Sequence, residues 1–404
     1  MQKLLNRPQA IFLGLASMIG AGVFGVFGPA ARLAGNLLYL SIALAGLVAF
    51  LNAASISQLA KVVTRSGGAY SYARHYLSDA WGFAAGSAFL IGKIGSAAAI
   101  ALTVSSYITP GTQVLTAVLA IAMMATLNIL GVNRTAFGAM VLASITIGFL
   151  SLVFIASLGA PSSSEPLEAG GFLGVLSAAS LMFFAFAGYA RVASLGGEVK
   201  NPSKSIPVAI AASLSLTFVI YLFIGLASAR VLGADLAFSL TPIGDLASEV
   251  IPWLPSGVVS IVAGGAALGS LLALLAGMGR TAATMAEDGE LPKVLARRNA
   301  KGAPFISELI IGALAILLVF FGGVETNIGV SSFAVLTYYA IANFAAFRQP
   351  KSESSRLKIL NLAGLSMCAL LAFSVPFTGL LIGISALLIA VTLRFGIARL
   401  RQNL

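Results

Sequence analysis

One cysteine and one histidine stand among 404 residues, and Asp and Glu together number only 13. The lone cysteine, Cys368, excludes an internal disulfide and any Cys-based metal cluster. The lone histidine, His75, sits between Arg74 and Tyr76 in a polar stretch, where a solvated or headgroup-level side chain is a plainer reading than a catalytic one. Charged residues make up 9% of the chain, against about 25% in a soluble domain. No HExxH, paired aspartate or serine-based dyad falls within the apolar stretches, so the usual constellations of an intramembrane enzyme are missing. No cofactor and no metal is implied.

What the chain has in their place is hydrophobic length. Apolar residues make up 59% of it, and the mean hydropathy is +1.00. Segments of about 20 apolar residues, enough for a hydrocarbon core of about 30 Å, recur throughout. Twelve are read, near 11–32, 37–60, 81–108, 111–131, 136–159, 171–196, 207–231, 256–284, 305–322, 327–346, 359–376 and 378–398. The first lacks a short apolar core followed by a small-residue cleavage site, so it is not read as a removed signal peptide.

The net charge of +11 raises the question of a nucleic-acid partner, and its distribution answers it. With a cytoplasmic N-terminus the outer connections carry Glu165, Glu168, Asp235, Asp245, Glu249 and Glu325, with Arg32 and Arg230. Most other cations, from Lys61, Arg65 and Arg74 to Arg297, Arg298, Arg399 and Arg401, fall inside. That is the positive-inside rule, and it places both termini in the cytoplasm of a multi-pass protein in the cytoplasmic membrane. The basicity orients the chain in its lipid bilayer; it does not bind nucleic acid. The stretch 232–255 is expected to cap the outer face, and 66–78 and 286–299 to lie along the inner interface.

The first span is built to resist being one helix. Its middle reads Met18-Ile19-Gly20-Ala21-Gly22-Val23-Phe24, and glycine in a helix interior costs about 1 kcal/mol relative to alanine. Broken backbone at membrane depth is tolerated only where protein buries it or it lines a cavity. Span six carries a second interruption, in Phe183-Phe184-Ala185-Phe186-Ala187-Gly188-Tyr189-Ala190-Arg191, and it runs in the opposite direction. Paired breaks of opposite orientation point to an inverted repeat with a binding site near the midplane. Small-residue packing between helices is the plainer alternative for any single glycine.

Four strings carry a resemblance. They are Met18-Ile19-Gly20-Ala21-Gly22-Val23-Phe24 in span one and Ser66-Gly67-Gly68-Ala69-Tyr70-Ser71-Tyr72 before span three. The third runs from Phe183 through Gly188-Tyr189 to Gly197-Glu198-Val199-Lys200-Asn201-Pro202. The fourth is Gly279-Arg280, then Met285-Ala286-Glu287-Asp288-Gly289-Glu290-Leu291-Pro292. With these in order, the chain resembles the amino acid–polyamine–organocation superfamily of secondary transporters over nearly its whole length. The resemblance implies an all-α polytopic fold of twelve transmembrane helices, in a five-plus-five inverted repeat with helices one and six broken. Residues 1–159 would form the first repeat, 160–350 the second, and 351–404 the last two spans and a cytoplasmic C-terminus.

The chemistry of the breaks suits an amino acid backbone. A helix restarting after Gly20–Gly22 offers free N–H groups to a carboxylate, and one stopping near Phe184–Ala187 offers carbonyls to an ammonium. In relatives the carboxylate meets the positions of Ala21 and Gly22, and the ammonium meets carbonyls at those of Met18, Phe184 and Ala187. Gly20 and Gly188 complete the candidate site. Of the three phenylalanines near the break, Phe184 is the one expected to meet substrate, the others being packing.

Lys93, in Leu90-Ile91-Gly92-Lys93-Ile94-Gly95-Ser96, lies near the middle of span three. A charge there costs roughly 2.5–3.5 kcal/mol on insertion scales, so it is expected to face a cavity or a partner rather than snorkel. A lysine at that depth repels a cationic side chain; it can sense an anionic one, contact substrate or carry a proton. Several proton-coupled relatives hold a lysine in span five where Thr146 stands here, and the acid after their span-six break is Ala190 here. Arg191 is a candidate inner gate, pairing with Glu198, or a plain tether of helix ends. Ser17, Thr103, Ser270 and Asn343 are further polar candidates, each of them more simply a helix–helix hydrogen bond. Ser270 also keeps sodium coupling open, though a core lysine favours protons or exchange.

The expectation is a permease that moves a neutral α-amino acid by alternating access, coupled to H+ or by exchange. Acidic amino acids and organic amines are the alternative substrates. A channel would show continuous polar helix faces, which these spans lack. A membrane sensor that binds an amino acid without moving it is the alternative from another class.

Overall fold

Asn6 starts the first helix by a reciprocal cap. Its side chain accepts from the Gln9 N–H at 3.0 Å, and the Gln9 side chain accepts from the Asn6 N–H at 2.9 Å. Pro8 fits the first turn, where no intrahelical donor is needed. The computed structural model describes residues 5–20, 22–63, 67–131, 136–189, 192, 199–350 and 358–402. Helix α1 spans Arg7–Met18. Its last backbone bond runs from Ile19 N–H to the Leu15 carbonyl, at 2.8 Å, and the chain then turns through Ile19 and Gly20. It resumes as α2, Gly22–Gly25, bends at Val26 and continues as α3, Phe27–Ala34.

The remaining helices follow in order. These are α4 (Leu38–Ala60), the short α5 (Ala69–Tyr76), α6 (Asp79–Ile108), α7 (Gln113–Ile129) and α8 (Ala136–Ser157). Then come α9 (Phe172–Phe186), ending in a 3-10 turn over Ala187–Tyr189, and α10 (Pro202–Leu232). The chain closes with α11 (Pro242–Val250), α12 (Ser256–Glu287), α13 (Phe305–Phe321), α14 (Val324–Arg348), α15 (Lys358–Phe373) and α16 (Phe377–Gln402). The only sheet-like contact among the described residues is a parallel bridge between Leu5 and Val199.

The fold is all-helical, and among the described residues each of the twelve apolar stretches falls mainly on helix. By length and composition nine helical stretches among the described residues suffice to cross a membrane, and α7, α13 and α15 are shorter apolar helices. Large apolar side chains stand exposed around the bundle, among them Leu119, Ile155, Ile261, Phe320, Ile359 and Phe373. Such a surface belongs in lipid, so this is a multi-pass membrane protein.

Two apolar clusters organise the interior. One gathers α1, α3, α4, α9, α10, α14 and α15; the other gathers α6, α7, α12 and α13. Phe184 packs against both, which puts the end of α9 at their seam. Helix α6 lies close along α14 because its small residues allow it. A Cβ on Gly95 would come within 2.9 Å of the Ser331 backbone nitrogen, and the Ser96 and Ser331 hydroxyls meet at 2.7 Å.

A buried amide seam joins α4 to α14 and α15. The Asn343 amide donates to Asn52 Oδ1 at 2.6 Å and to the Tyr339 carbonyl at 2.8 Å. The Ser55 hydroxyl lies 2.6 Å from Asn343 Oδ1 and 2.8 Å from Asn361 Oδ1, and the Cys368 thiol donates to Asn52 Oδ1. Most polar groups of the seam are satisfied by each other, since lipid offers no partner, although the Asn52 Nδ2 group is buried with no partner among the described residues. Cys368 is fully buried there, and His75 is exposed with its ring edge-on to Tyr76.

Candidate functional site

The two breaks touch backbone to backbone. A Cβ built on Gly188 would overlap the Ser17 carbonyl and come within 2.7 Å of the Met18 nitrogen. One on Gly22 would come within 2.5 Å of Ala185 Cα and 2.6 Å of its Cβ. Only glycine permits either approach. Gly20 in turn makes room for Ser270 of α12: a Cβ there would overlap the serine hydroxyl and lie 2.8 Å from its Cβ. The Ser270 hydroxyl donates to the Ala16 carbonyl at 3.3 Å.

Helix ends leave carbonyls without intrahelical partners, and here several find donors. Tyr221 of α10 reaches between the breaks, its hydroxyl 2.7 Å from the Met18 carbonyl and 3.3 Å from that of Ala185. Lys93 of α6 points at the other break, its Nζ 3.5 Å from the Ala187 carbonyl. Lys93 is only 8% exposed, so its amine is held within the protein rather than drawn to an interface. Tyr107, also of α6, donates to the Phe24 carbonyl at 3.0 Å and accepts from the Ile243 N–H at 3.3 Å. That ties the second half of span one to α11, which lies within the stretch 232–255 expected to cap the outer face.

The remaining candidates divide clearly. Phe184 is partly exposed, whereas Phe183 and Phe186 are fully buried, edge-on to Tyr339 and Tyr221 at 5.7 and 5.1 Å. Thr146 donates to its own helix at Leu142, 2.8 Å, and with Ile19, Gly20 and Ala266 it lines a small cleft beside the first break. The Ser17 and Thr103 hydroxyls likewise bond the carbonyls of Leu13 and Ala99 in their own helices. Asn343 sits in the amide seam between helices. Ala21, Ala190, Arg191 and Glu198 lie outside the described residues. Among the described residues no three His, Cys, Asp or Glu side chains gather as they would around a metal.

Sequence reasoning missed Tyr221 and Tyr107. The signal available was a tyrosine deep in an apolar span, whose hydroxyl needs an internal partner. It also missed that two of the quoted strings meet in space at the basic end of the bundle. Tyr70 donates to Asp288 at 2.8 Å, and Arg74 pairs with the same carboxylate at 3.2 Å while donating to the Tyr70 hydroxyl at 2.8 Å. Burial first, then the bond to Asp288, pushes the Tyr70 phenol up to about 12. The loop before Tyr70 is fixed by Gly68, at φ +58°, whose missing Cβ leaves space for the Tyr338 hydroxyl. That hydroxyl accepts the Ala69 N–H at 3.0 Å. Arg394 of α16 grips Glu290 with two bonds, at 2.8 and 3.2 Å.

Comparison with known proteins agrees with this architecture. The profile of the amino acid permease family matches residues 9–393. A protein of Mycobacterium tuberculosis described as an uncharacterized transporter is 38% identical over 99% of this chain and 92% of its own length. Cationic amino acid transporter 5 of Arabidopsis thaliana is 26% identical over 90% of this chain and 68% of its own. The methylthioribose transporter of Bacillus subtilis is 25% identical over 92% of this chain and 88% of its own. The chain belongs to the amino acid permease family.

Proposed function

We propose that this permease carries a neutral α-amino acid across the cytoplasmic membrane by alternating access. The observation that carries the reading is the backbone contact of the two breaks, Gly188 on Ser17–Met18 and Gly22 on Ala185. Main-chain groups of both spans thereby converge on one place, where N–H groups after Gly20 suit a carboxylate and the carbonyls of Met18 and Ala187 suit an ammonium. Phe184 borders that place, Gly188 lies in the turn that ends α9, and Ala21 is the further residue proposed to meet the carboxylate. The proposed frame is twelve spans with both termini cytoplasmic, residues 1–159 and 160–350 forming the inverted halves and 351–404 the rest.

Side-chain class follows from charge. No Asp or Glu lies in the central part of spans one, three, six, eight or ten, and Lys93 adds a positive charge. A cationic side chain would meet repulsion without a counter-charge, so the substrate named for the Arabidopsis relative is not carried over. Movement is driven by H+ or by exchange, with Lys93 the candidate proton carrier and Arg191 the candidate inner gate. An acidic substrate is the second reading, favoured by the same Lys93 amine.

Uptake into proteoliposomes of neutral, acidic and basic amino acids tests this. Uptake of a neutral amino acid that unlabelled neutral competitors suppress is the expected result. Net uptake of arginine or putrescine, unaffected by neutral competitors, would overturn it.

A further inference from the structure

The end of α9 offers the Ala187 carbonyl, and an amine already sits on it. Lys93 Nζ lies 3.5 Å away, and this carbonyl is its one hydrogen-bond partner among the described residues. An ammonium has three N–H donors, so two of them are unspent on a side chain that is 8% exposed. Burying a charge so sparsely bonded is unfavourable, and natural interiors avoid it unless another group arrives. The matching carbonyl of span one is no freer. Met18 O is met by the Tyr221 hydroxyl at 2.7 Å, which also lies 3.3 Å from Ala185 O. The carbonyls that the two breaks would show to a substrate ammonium therefore each face a donor from the protein.

Tyr221 and Lys93 differ in what they can do next. The phenol is short, stiff and fully buried, with its ring edge-on to Phe27 and Phe186. The lysine reaches its carbonyl on a flexible four-carbon stem, through a long and single bond. Snorkelling does not explain its place, because the amine turns inward to another helix's backbone.

We propose that Lys93 is a tethered occupant of the substrate's ammonium subsite, so that the site takes carboxylates with or without an α-amine. This rests on the reading of the breaks as an amino acid site. A deaminated carboxylate binds with the Lys93 amine still on Ala187 O, and the two unspent N–H groups are free to meet its carboxylate. An α-amino acid binds only after its own ammonium displaces that amine. What the substrate ammonium gains is then largely what Lys93 gives up, and the wild-type protein discriminates weakly between an amino acid and its deaminated counterpart.

The test compares ligand pairs that differ only in the amine: alanine with propionate, leucine with 4-methylpentanoate, and phenylalanine with 3-phenylpropionate. Binding is measured on purified full-length wild type, Lys93→Met and Lys93→Gln. Methionine keeps length without a donor, and glutamine keeps a donor without charge. Lys93→Met is expected to widen the preference for the amino acid about tenfold, the scale of one charge-assisted hydrogen bond. Lys93→Gln is expected to widen it less, and it supplies the same comparison if the methionine variant does not fold. A preference unchanged from wild type in the folded variant overturns the proposal, whether both affinities fall together or neither moves. If wild type binds none of the three amino acids, the amino acid reading itself fails and takes this inference with it.

Discussion

Gly188 of span six lies against the carbonyl of Ser17 in span one, closer than any side chain would permit. Two interruptions some 170 residues apart in the chain are thus one structural feature. The glycines that weaken each helix are also what lets the weakened places meet, which joins the two readings the sequence left open: break and close-packing site.

Substituting Gly188 by alanine forces its methyl into backbone that cannot rotate away. Overpacking of this kind costs about 1–3 kcal/mol, so the Gly188→Ala variant should melt at lower temperature and lose uptake. Gly265, with nothing within 4 Å of a built Cβ, is the control. Gly265→Ala in the interior of α12 should hold or gain up to about 1 kcal/mol and retain uptake.

Removing the Tyr221 hydroxyl leaves the Met18 and Ala185 carbonyls without that donor. Tyr221→Phe keeps the ring contacts with Phe27 and Phe186. Its cost should therefore read as that of lost hydrogen bonding, about 1–3 kcal/mol for buried groups left unpaired. Thermal unfolding in detergent measures it, and an unchanged melting temperature would show that the bridge is idle.

The Tyr70–Asp288 contact makes a pH prediction outside the membrane-spanning segments. The Tyr70 phenol is pushed up to about 12, chiefly by burial, from an ordinary value of 10.0. A raised pKa means that the folded state holds the proton more tightly. The stability it contributes is therefore full below pH 10 and is lost as pH rises through 12. Unfolding followed between pH 9 and 12 should show wild type losing stability in that window, with Tyr70→Phe losing less. Identical profiles would remove Tyr70 from the account.

Asn343 bonds Asn52, Ser55 and the Tyr339 carbonyl at once, all of them buried. Asn343→Ala strands these partners between helices and should destabilise by about 1–3 kcal/mol. Paired with Ser55→Ala in a double-mutant cycle, the two losses should fail to add, because they share one network. Strict additivity would contradict the seam as described.

Much of this fold was legible because it is local and periodic. Apolar runs separated by charge placed the long helices but not the short α5 and α11, and Gly20–Gly22 and Gly188 marked where helices would fail. Lys93 stood out because a lysine in such a run needs a reason. The partners were not legible. Nothing in span seven says that Tyr221 reaches Met18 and Ala185, since such reach depends on how helices far apart in sequence cross. Asn343 could be read as a pathway residue or, more simply, as a helix–helix hydrogen bond, and it takes the second role, with partners Asn52 and Ser55 that no run of sequence names. Tyr70 and Asp288 were each inside a quoted string, but strings show order along the chain and not contact across it.

The most direct test of the central claim is a thermal shift of the purified protein across a ligand panel. A ligand at 100 times its dissociation constant adds about 2.7 kcal/mol to the folded state, so binders separate plainly from non-binders. The account predicts that neutral α-amino acids raise the melting temperature of wild type, that arginine and putrescine do not, and that Gly188→Ala abolishes the shift. Stabilisation by arginine or putrescine alone, or a full shift retained in Gly188→Ala, would contradict it.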